Sequence, residues 1–174
     1  TVNNPPARLD VDQEYTLMTY NFGFGAYSDD YSFFMDTGKM KDGKATRGKH
    51  GRALSKETVI ANTQGSLALI QQSLPDFIFL QEVDVKSSRS YGVDQAAILR
   101  SAFSGYGSVF ALNFHSPYLI VPPQEPHGSV QSGLLTLSNW HVDENVRRQF
   151  PVDGSFIAKF TDLDRCFLIS RLGL

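Results

Sequence analysis

Asp76-Phe77-Ile78-Phe79-Leu80-Gln81-Glu82 is the stretch on which the fold turns. Phe77 to Leu80 is an unbroken apolar run, too short for a helix and typical of a strand buried on both faces of its sheet. Pro75 stands just upstream and stops whatever helix precedes it. The run therefore predicts a central strand that carries Gln81 and Glu82 to its carboxyl end.

Working outward, Val59, Ile60, Leu67, Ile70 and Leu74 recur at helical spacing before Pro75. Ser55 is the predicted N-cap, and Glu57 sits in the first turn, where the helix dipole favours a negative charge. Further upstream, Glu14 to Phe22 reads as a strand ending at Asn21. Residues 1–13, with Pro5-Pro6, read as a loose N-terminal arm. Between strand and helix lies a long Gly-, Lys- and Asp-rich connection over residues 23–54, a length that is usually functional or mobile.

Downstream, a second helix is predicted over about Val93 to Phe103, and a strand over Val109 to Phe114. A loop with Pro117, Pro122, Pro123 and Pro126 follows, then the run Ser132 to Ser138, and last the apolar run Cys166 to Leu172. Strands alternating with helices and then several strands in succession predict a layered α/β architecture.

A length of 174 residues suits one domain rather than two. With 41% hydrophobic and 20% charged residues the composition is that of a globular protein. A net charge of −2 argues against a broad electrostatic grip on nucleic acid, though not against a local basic patch. One such patch exists: residues 39–56 hold seven Lys or Arg (Lys39, Lys41, Lys44, Arg47, Lys49, Arg52, Lys56) against one acid, Asp42. That stretch reads either as a solvated loop or as a phosphate-attracting rim, because it begins soon after Asn21.

The single cysteine, Cys166, cannot form an intrachain disulfide, and its apolar neighbours make it a packed core thiol. No apolar stretch approaches the roughly 18 residues of a membrane span. The chain opens at Thr1 without a Met, so a targeting segment could have been removed, and the sequence does not fix a compartment.

Four segments in this order resemble the endonuclease/exonuclease/phosphatase family. They are Thr19-Tyr20-Asn21, Asp76 to Glu82, Ser132 to Ser138, and Arg165 to Arg171. The Leu-Gln-Glu ending of the apolar strand is the most specific of them. The resemblance spans the chain from about Glu14 to Leu174 and implies two β-sheets packed face to face with helices outside, here apparently truncated to the first half. It also implies a hydrolase: a nuclease, phosphodiesterase or phosphatase acting on nucleic acid, a phosphoinositide, sphingomyelin or a small phosphoester with Mg²⁺ or Mn²⁺.

The residues support that chemistry in their own right. Mg²⁺ prefers hard oxygen ligands and takes only one or two carboxylates. Glu82 at a strand end supplies a fixed carboxylate. Asn21, at the end of a neighbouring strand, can offer its amide oxygen or hold the phosphate or a metal-bound water. Both are candidate catalytic and metal-binding residues, and their side chains are expected within roughly 7 Å of each other. The bound ion would polarise the phosphoryl oxygen and orient the attacking water.

Arg89 and Tyr91 follow closely enough to reach a phosphate, Arg89 through its planar donor fork. Asn113 falls where related nucleases place substrate-facing polar residues. Ser132 reads as satisfying local backbone groups. None of His50, His115, His127 and His141 lies in a family histidine motif, and all four read as loop or surface residues.

The departure from the family concerns catalysis itself. Members carry a later strand histidine, a Gly-Asp-x-Asn motif and a terminal Ser-Asp-His motif. None occurs here, and Asp143-Glu144-Asn145 reads as a turn. The chain is thus expected to be inactive alone, with the rest of the site supplied by further sequence or a second chain. The uncovered sheet predicts a homodimer or a partner completing the fold. The alternative is a non-catalytic binding or interaction module built on half of the fold.

Overall fold

The computed structural model describes residues 1–151 and 165–174. In chain order the strands are β1 (Leu17–Asn21), β2 (Thr37–Lys39), β3 (Ala45–Arg47), β4 (Phe77–Asp84), β5 (Gly107–Leu119), β6 (Gly128–Ser138), β7 (Glu144–Gln149) and β8 (Cys166–Arg171). Among the described residues, two α-helices, α1 (Lys56–Ser73) and α2 (Gln95–Ala102), and two single 3₁₀ turns, Gly23–Gly25 and Ser88–Ser90, complete the set. The architecture is mixed α/β, and no helix among the described residues is long and apolar enough to cross a membrane.

The central sheet has four strands in the order β1-β4-β6-β5. β1 lies parallel to β4, with Leu17 opposite Phe77 and Asn21 opposite Gln81. β6 runs antiparallel to both β4 and β5. The crossover from β1 to β4 passes through α1, the usual connection between parallel neighbours. Ser55 caps that helix by accepting from the Thr58 N–H at 3.1 Å. It ends at Leu74, which adopts a left-handed conformation ahead of Pro75 and is exposed. Asp94 caps α2 in the same way, through the Ala97 N–H.

The helices cover one face of the sheet only. Ile78 and Leu80 of β4 are fully buried and pack with Leu135 and Leu137 of β6, Ile70 of α1, and Leu99 and Phe103 at α2. Phe77 and Phe79 point the other way and are half-buried. The two-faced burial expected of Phe77 to Leu80 is thus corrected to one buried face and one partly covered face. The partial cover is the β7–β8 ribbon, which docks on β5 where the Cys166 N–H donates to Asn113 Oδ1 at 2.7 Å. A cavity of about 320 Å³ remains between β8 and Phe77, Phe79, Thr136 and Ser138. Cys166 is buried, as a core thiol should be.

Three other expectations need correction. Asn145 does not sit in a turn; it belongs to β7 and pairs with Ser170 of β8. The N-terminal arm is tied down: Val2 bridges Ser108, the His141 N–H donates to the Ala7 carbonyl, and Arg8 pairs with Asp143. The connection over residues 23–54 is largely built structure. It contains the β2–β3 hairpin, and Phe24, Ala26, Tyr31 and Ala53 bury themselves against Val59 and Val93 as a second core.

Asp76 locks the end of β4 remote from Glu82. Its carboxylate accepts from the Thr16 N–H and hydroxyl and from the Trp140 indole N–H, each at 2.8 Å. Burial works to raise its pKa, but those donors outweigh it and hold the carboxyl below its usual range.

Candidate active site

Parallel neighbours end at the same rim, so β1 and β4 bring Asn21 and Glu82 together. The Phe22 N–H donates to the Gln81 carbonyl and carries the ladder one residue beyond the strand. Asn21 then donates its side-chain N–H to Glu82 Oε1 at 3.1 Å, while its own Oδ1 accepts the Gly23 N–H at 2.8 Å. This fixes the amide's orientation, because the reverse would set an oxygen against a carboxylate. Asn21 in this structure positions Glu82 rather than presenting a free oxygen. Gly23, at φ +49°, lets the Tyr27 ring lie close, since a Cβ there would stand 2.5 Å from the ring.

Glu82 is presented by a local break in the sheet. β4 and β6 stay in register up to Leu80–Leu135 and resume at Val83–Gly133, so two residues of β4 oppose one of β6. A bulge of this kind bends the strand and re-aims a side chain. Glu82 takes φ +53°, a left-handed conformation that costs a side-chain-bearing residue roughly 1–2 kcal/mol. Opposite the bulge, a Cβ on Gly133 would meet the Ala111 carbonyl oxygen at 2.4 Å and the Phe110 ring at 2.5 Å. Glycine is what lets β6 pass there.

The strand beyond the bulge is braced by a buried polar network. Asp84, fully buried, binds Arg89 in a two-point fork, Nε to Oδ2 at 3.1 Å and Nη2 to Oδ1 at 2.9 Å. The Ser90 hydroxyl donates to the same carboxylate, and the Asp84 N–H donates to Gln95 Oε1. Gln95 in turn donates to the Thr63 hydroxyl at 2.8 Å, which links β4 to both helices. The charge at Asp84 is thus paired and hydrogen-bonded, the condition under which buried ions persist.

Glu82 lines two cavities. The smaller, about 230 Å³, is polar and shared with Tyr20, Asn21, Asn62 and Ser66. The larger, about 550 Å³, is walled by Phe24, Phe33, Phe34, Phe114, Leu119 and Val121, with Arg89, Asn113, His127, Ser132 and Arg165 among them. Tyr27 borders both. Burial raises the Tyr27 pKa, with the Asp36 and Glu82 carboxylates adding to the effect, so its phenol stays protonated.

The sequence-predicted residues meet different fates. Asn21 and Glu82 converge. Arg89 is buried, spends its fork on Asp84 and lies 4.0 Å over the Phe24 ring, although it borders the larger cavity. Asn113 borders the same cavity, but its Oδ1 is engaged by β8. Tyr91 borders neither cavity; its hydroxyl donates to the Ala53 and Leu54 carbonyls and anchors the end of the long connection.

His127 lies in the loop before β6, but not at the surface. It is 3% exposed, lies against Phe33 and Phe34, and its Nδ1 has no partner. Burial, with the Arg89 charge, pushes its pKa down to about 4, so it is neutral at pH 7. Ser132 is likewise buried and satisfies no backbone group, for its Oγ is unpartnered. The sequence reading did not single out Asp84, although an acid between Val83 and Val85 at the end of an apolar strand is a signal for a buried partner.

Among the described residues no group of three or more His, Cys, Asp and Glu side chains converges to hold a metal. What the rim offers is one carboxylate, whose Oε2 has no hydrogen-bond partner among the described residues, beside amide and hydroxyl groups. That donor set suits Mg²⁺ or Mn²⁺, which keep several waters, and not a thiolate- or imidazole-seeking metal. No protein-family model and no curated protein matches this chain.

Proposed function

We propose that the Asn21–Glu82 rim is the metal-binding half of a phosphoester hydrolase site of the endonuclease/exonuclease/phosphatase type. The observation that carries the reading is Glu82 itself: a carboxylate at a strand end, raised on a bulge in a strained backbone and steadied by Asn21. Strain of that order persists where the surroundings over-determine it, and it clusters at active and ligand-binding sites. The parallel β1–β4 pair, the covering helices and the β7–β8 layer also support the family's face-to-face fold.

In this reading Glu82 holds Mg²⁺ or Mn²⁺, and Asn21 fixes the carboxylate's rotamer. The ion, when bound, supplies Lewis-acid stabilisation of the phosphoryl group. Asn62 and Ser66 shape the wall of the small cavity, the Asn62 amide donating to the Gly25 carbonyl and the Ser66 hydroxyl to Tyr20. The half-covered sheet face, with Phe167 and Ile169 each 44% exposed, is where a second copy or a partner chain would sit.

A non-catalytic binding module is the second reading, favoured by the lone carboxylate. Manganese titration followed by water-proton relaxation tests the site. One ion per chain is expected, displaced by magnesium and lost in Glu82→Gln. Binding that ignores this substitution would overturn the assignment. Because this chain is expected to be inactive alone, the binding module is separated from the hydrolase by Glu82-dependent turnover of bis(p-nitrophenyl) phosphate once a chain that completes the site is supplied.

A further inference from the structure

We infer that the larger cavity beside Glu82 binds a neutral planar heteroaromatic ring with N–H donors, a nucleobase-like group borne by the substrate. The inference deepens the phosphoester reading and rests on it only for placing the ester at Glu82, which lines both cavities. At about 550 Å³ the cavity is of small-molecule size. Its walls are mostly aromatic, with Phe24, Phe33, Phe34 and Phe114 contributing, and a flat ring stacks or edges onto such surfaces.

Charge narrows the class. Phe24 and Phe114 already hold guanidinium groups, Arg89 lying 4.0 Å from Phe24 and 5.4 Å from Phe114 and Arg165 5.6 Å from Phe114, while Phe33 stacks on His127. A quaternary ammonium headgroup would find those aromatic faces already covered. Arg89 is meanwhile neutralised by Asp84, which weakens its pull on an anion.

The unpartnered polar atoms narrow it further. His127 Nδ1 and Ser132 Oγ belong to residues lining this cavity, and they are 3% and 2% exposed respectively. Buried polar groups without partners are rare in native proteins and call for an explanation. With His127 neutral, Nδ1 awaits a partner, as acceptor or donor according to the tautomer. Phe33 holds the imidazole in place, with ring centroids 5.7 Å apart and planes at 24°. A ring carrying an N–H and an acceptor satisfies both groups; an acyl chain leaves both unpaired.

Saturation-transfer NMR and calorimetry on the 174-residue chain, with EDTA present, test this using adenosine, thymidine, decanoate and phosphocholine as probes. Saturable binding of at least one nucleoside is expected, weakened about tenfold in Ser132→Ala, which removes an unpartnered hydroxyl and should fold. Phe33→Leu, which keeps apolar bulk but removes the stacking face, should weaken it as well. Absence of nucleoside binding, preference for decanoate or phosphocholine, or undiminished binding in Ser132→Ala would overturn the inference. The assay needs neither metal nor ester bond, so nucleoside binding would survive failure of the hydrolase reading. A chain that binds manganese through Glu82 but no nucleoside would lose this inference alone.

Discussion

Replacing Glu82 by alanine and, separately, by glycine isolates the backbone strain from the carboxylate. Both variants lose the 3.1 Å hydrogen bond from Asn21 and the negative charge, so those losses cancel in the comparison. What differs is the tolerance of φ +53°. A Cβ in the left-handed region costs roughly 1–2 kcal/mol. Glycine escapes that cost but gives back about 0.4–1 kcal/mol through its greater freedom in the unfolded chain. The glycine variant should therefore be the more stable by about 1 kcal/mol. At an ordinary strand position the order is reversed, and glycine is worse than alanine by roughly 0.5–1 kcal/mol. The two cases thus differ in sign. With a urea slope of about 2 kcal/mol/M the expected advantage moves the midpoint up by about 0.5 M. In thermal melts of a chain this size it amounts to about 2–4 °C. Alanine equal to or better than glycine would refute the claim that the bulge holds Glu82 under strain, and with it the main support for a functional carboxylate there.

Three further outcomes follow from the same structure. Arg89→Met leaves the Asp84 carboxylate buried without its counter-charge and should cost about 3–5 kcal/mol in denaturant titration, with part recovered when Asp84→Asn is added. His127 is held at a pKa of about 4 against an ordinary value of 6.5, so the unfolded chain takes up a proton in a range where the folded chain does not. Its contribution is therefore complete above pH 6.5 and is lost as pH falls toward 4, by up to about 3 kcal/mol; His127→Asn should flatten that limb of the stability–pH curve. On the phosphoesterase reading, neutralising Lys39, Lys41 and Lys44 in and beside the exposed β2–β3 hairpin should, in an active domain with its site completed, raise KM for an anionic substrate at low salt and leave it unchanged at high salt. Equal effects at both salt levels would show that the hairpin acts by contact rather than by its field.

What could be read in advance, and what could not, divides along a physical line. α1 was legible because its stop and start signals are local: Ser55 caps and Pro75 forbids continuation. The Asn21–Glu82 pairing was legible at one remove, since two strands joined by a helix run parallel and must end at the same rim. The bulge was not, because Gln81-Glu82-Val83 has no glycine or proline to announce a positive φ; the strain is imposed by β6 and the Asp84 network, not by local preference. His127 was hidden for a similar reason. Its neighbours Pro126 and Gly128 mark a loop, and only the fold brings Phe33 and Phe34, more than ninety positions away, across its ring. A signal for that contact did exist in composition. Phe24, Tyr27, Tyr31, Phe33 and Phe34 fall within eleven residues of a stretch that otherwise reads as a solvated loop. Such a concentration of rings is costly to leave in water, so a connection carrying it must pack on something. It packs on α1 and on His127, and in doing so forms one wall of the cavity beside Glu82. The long connection is thus built structure, and it is its aromatic first half, not the basic second half that its charge singled out, that packs as a core and walls the cavity beside Glu82.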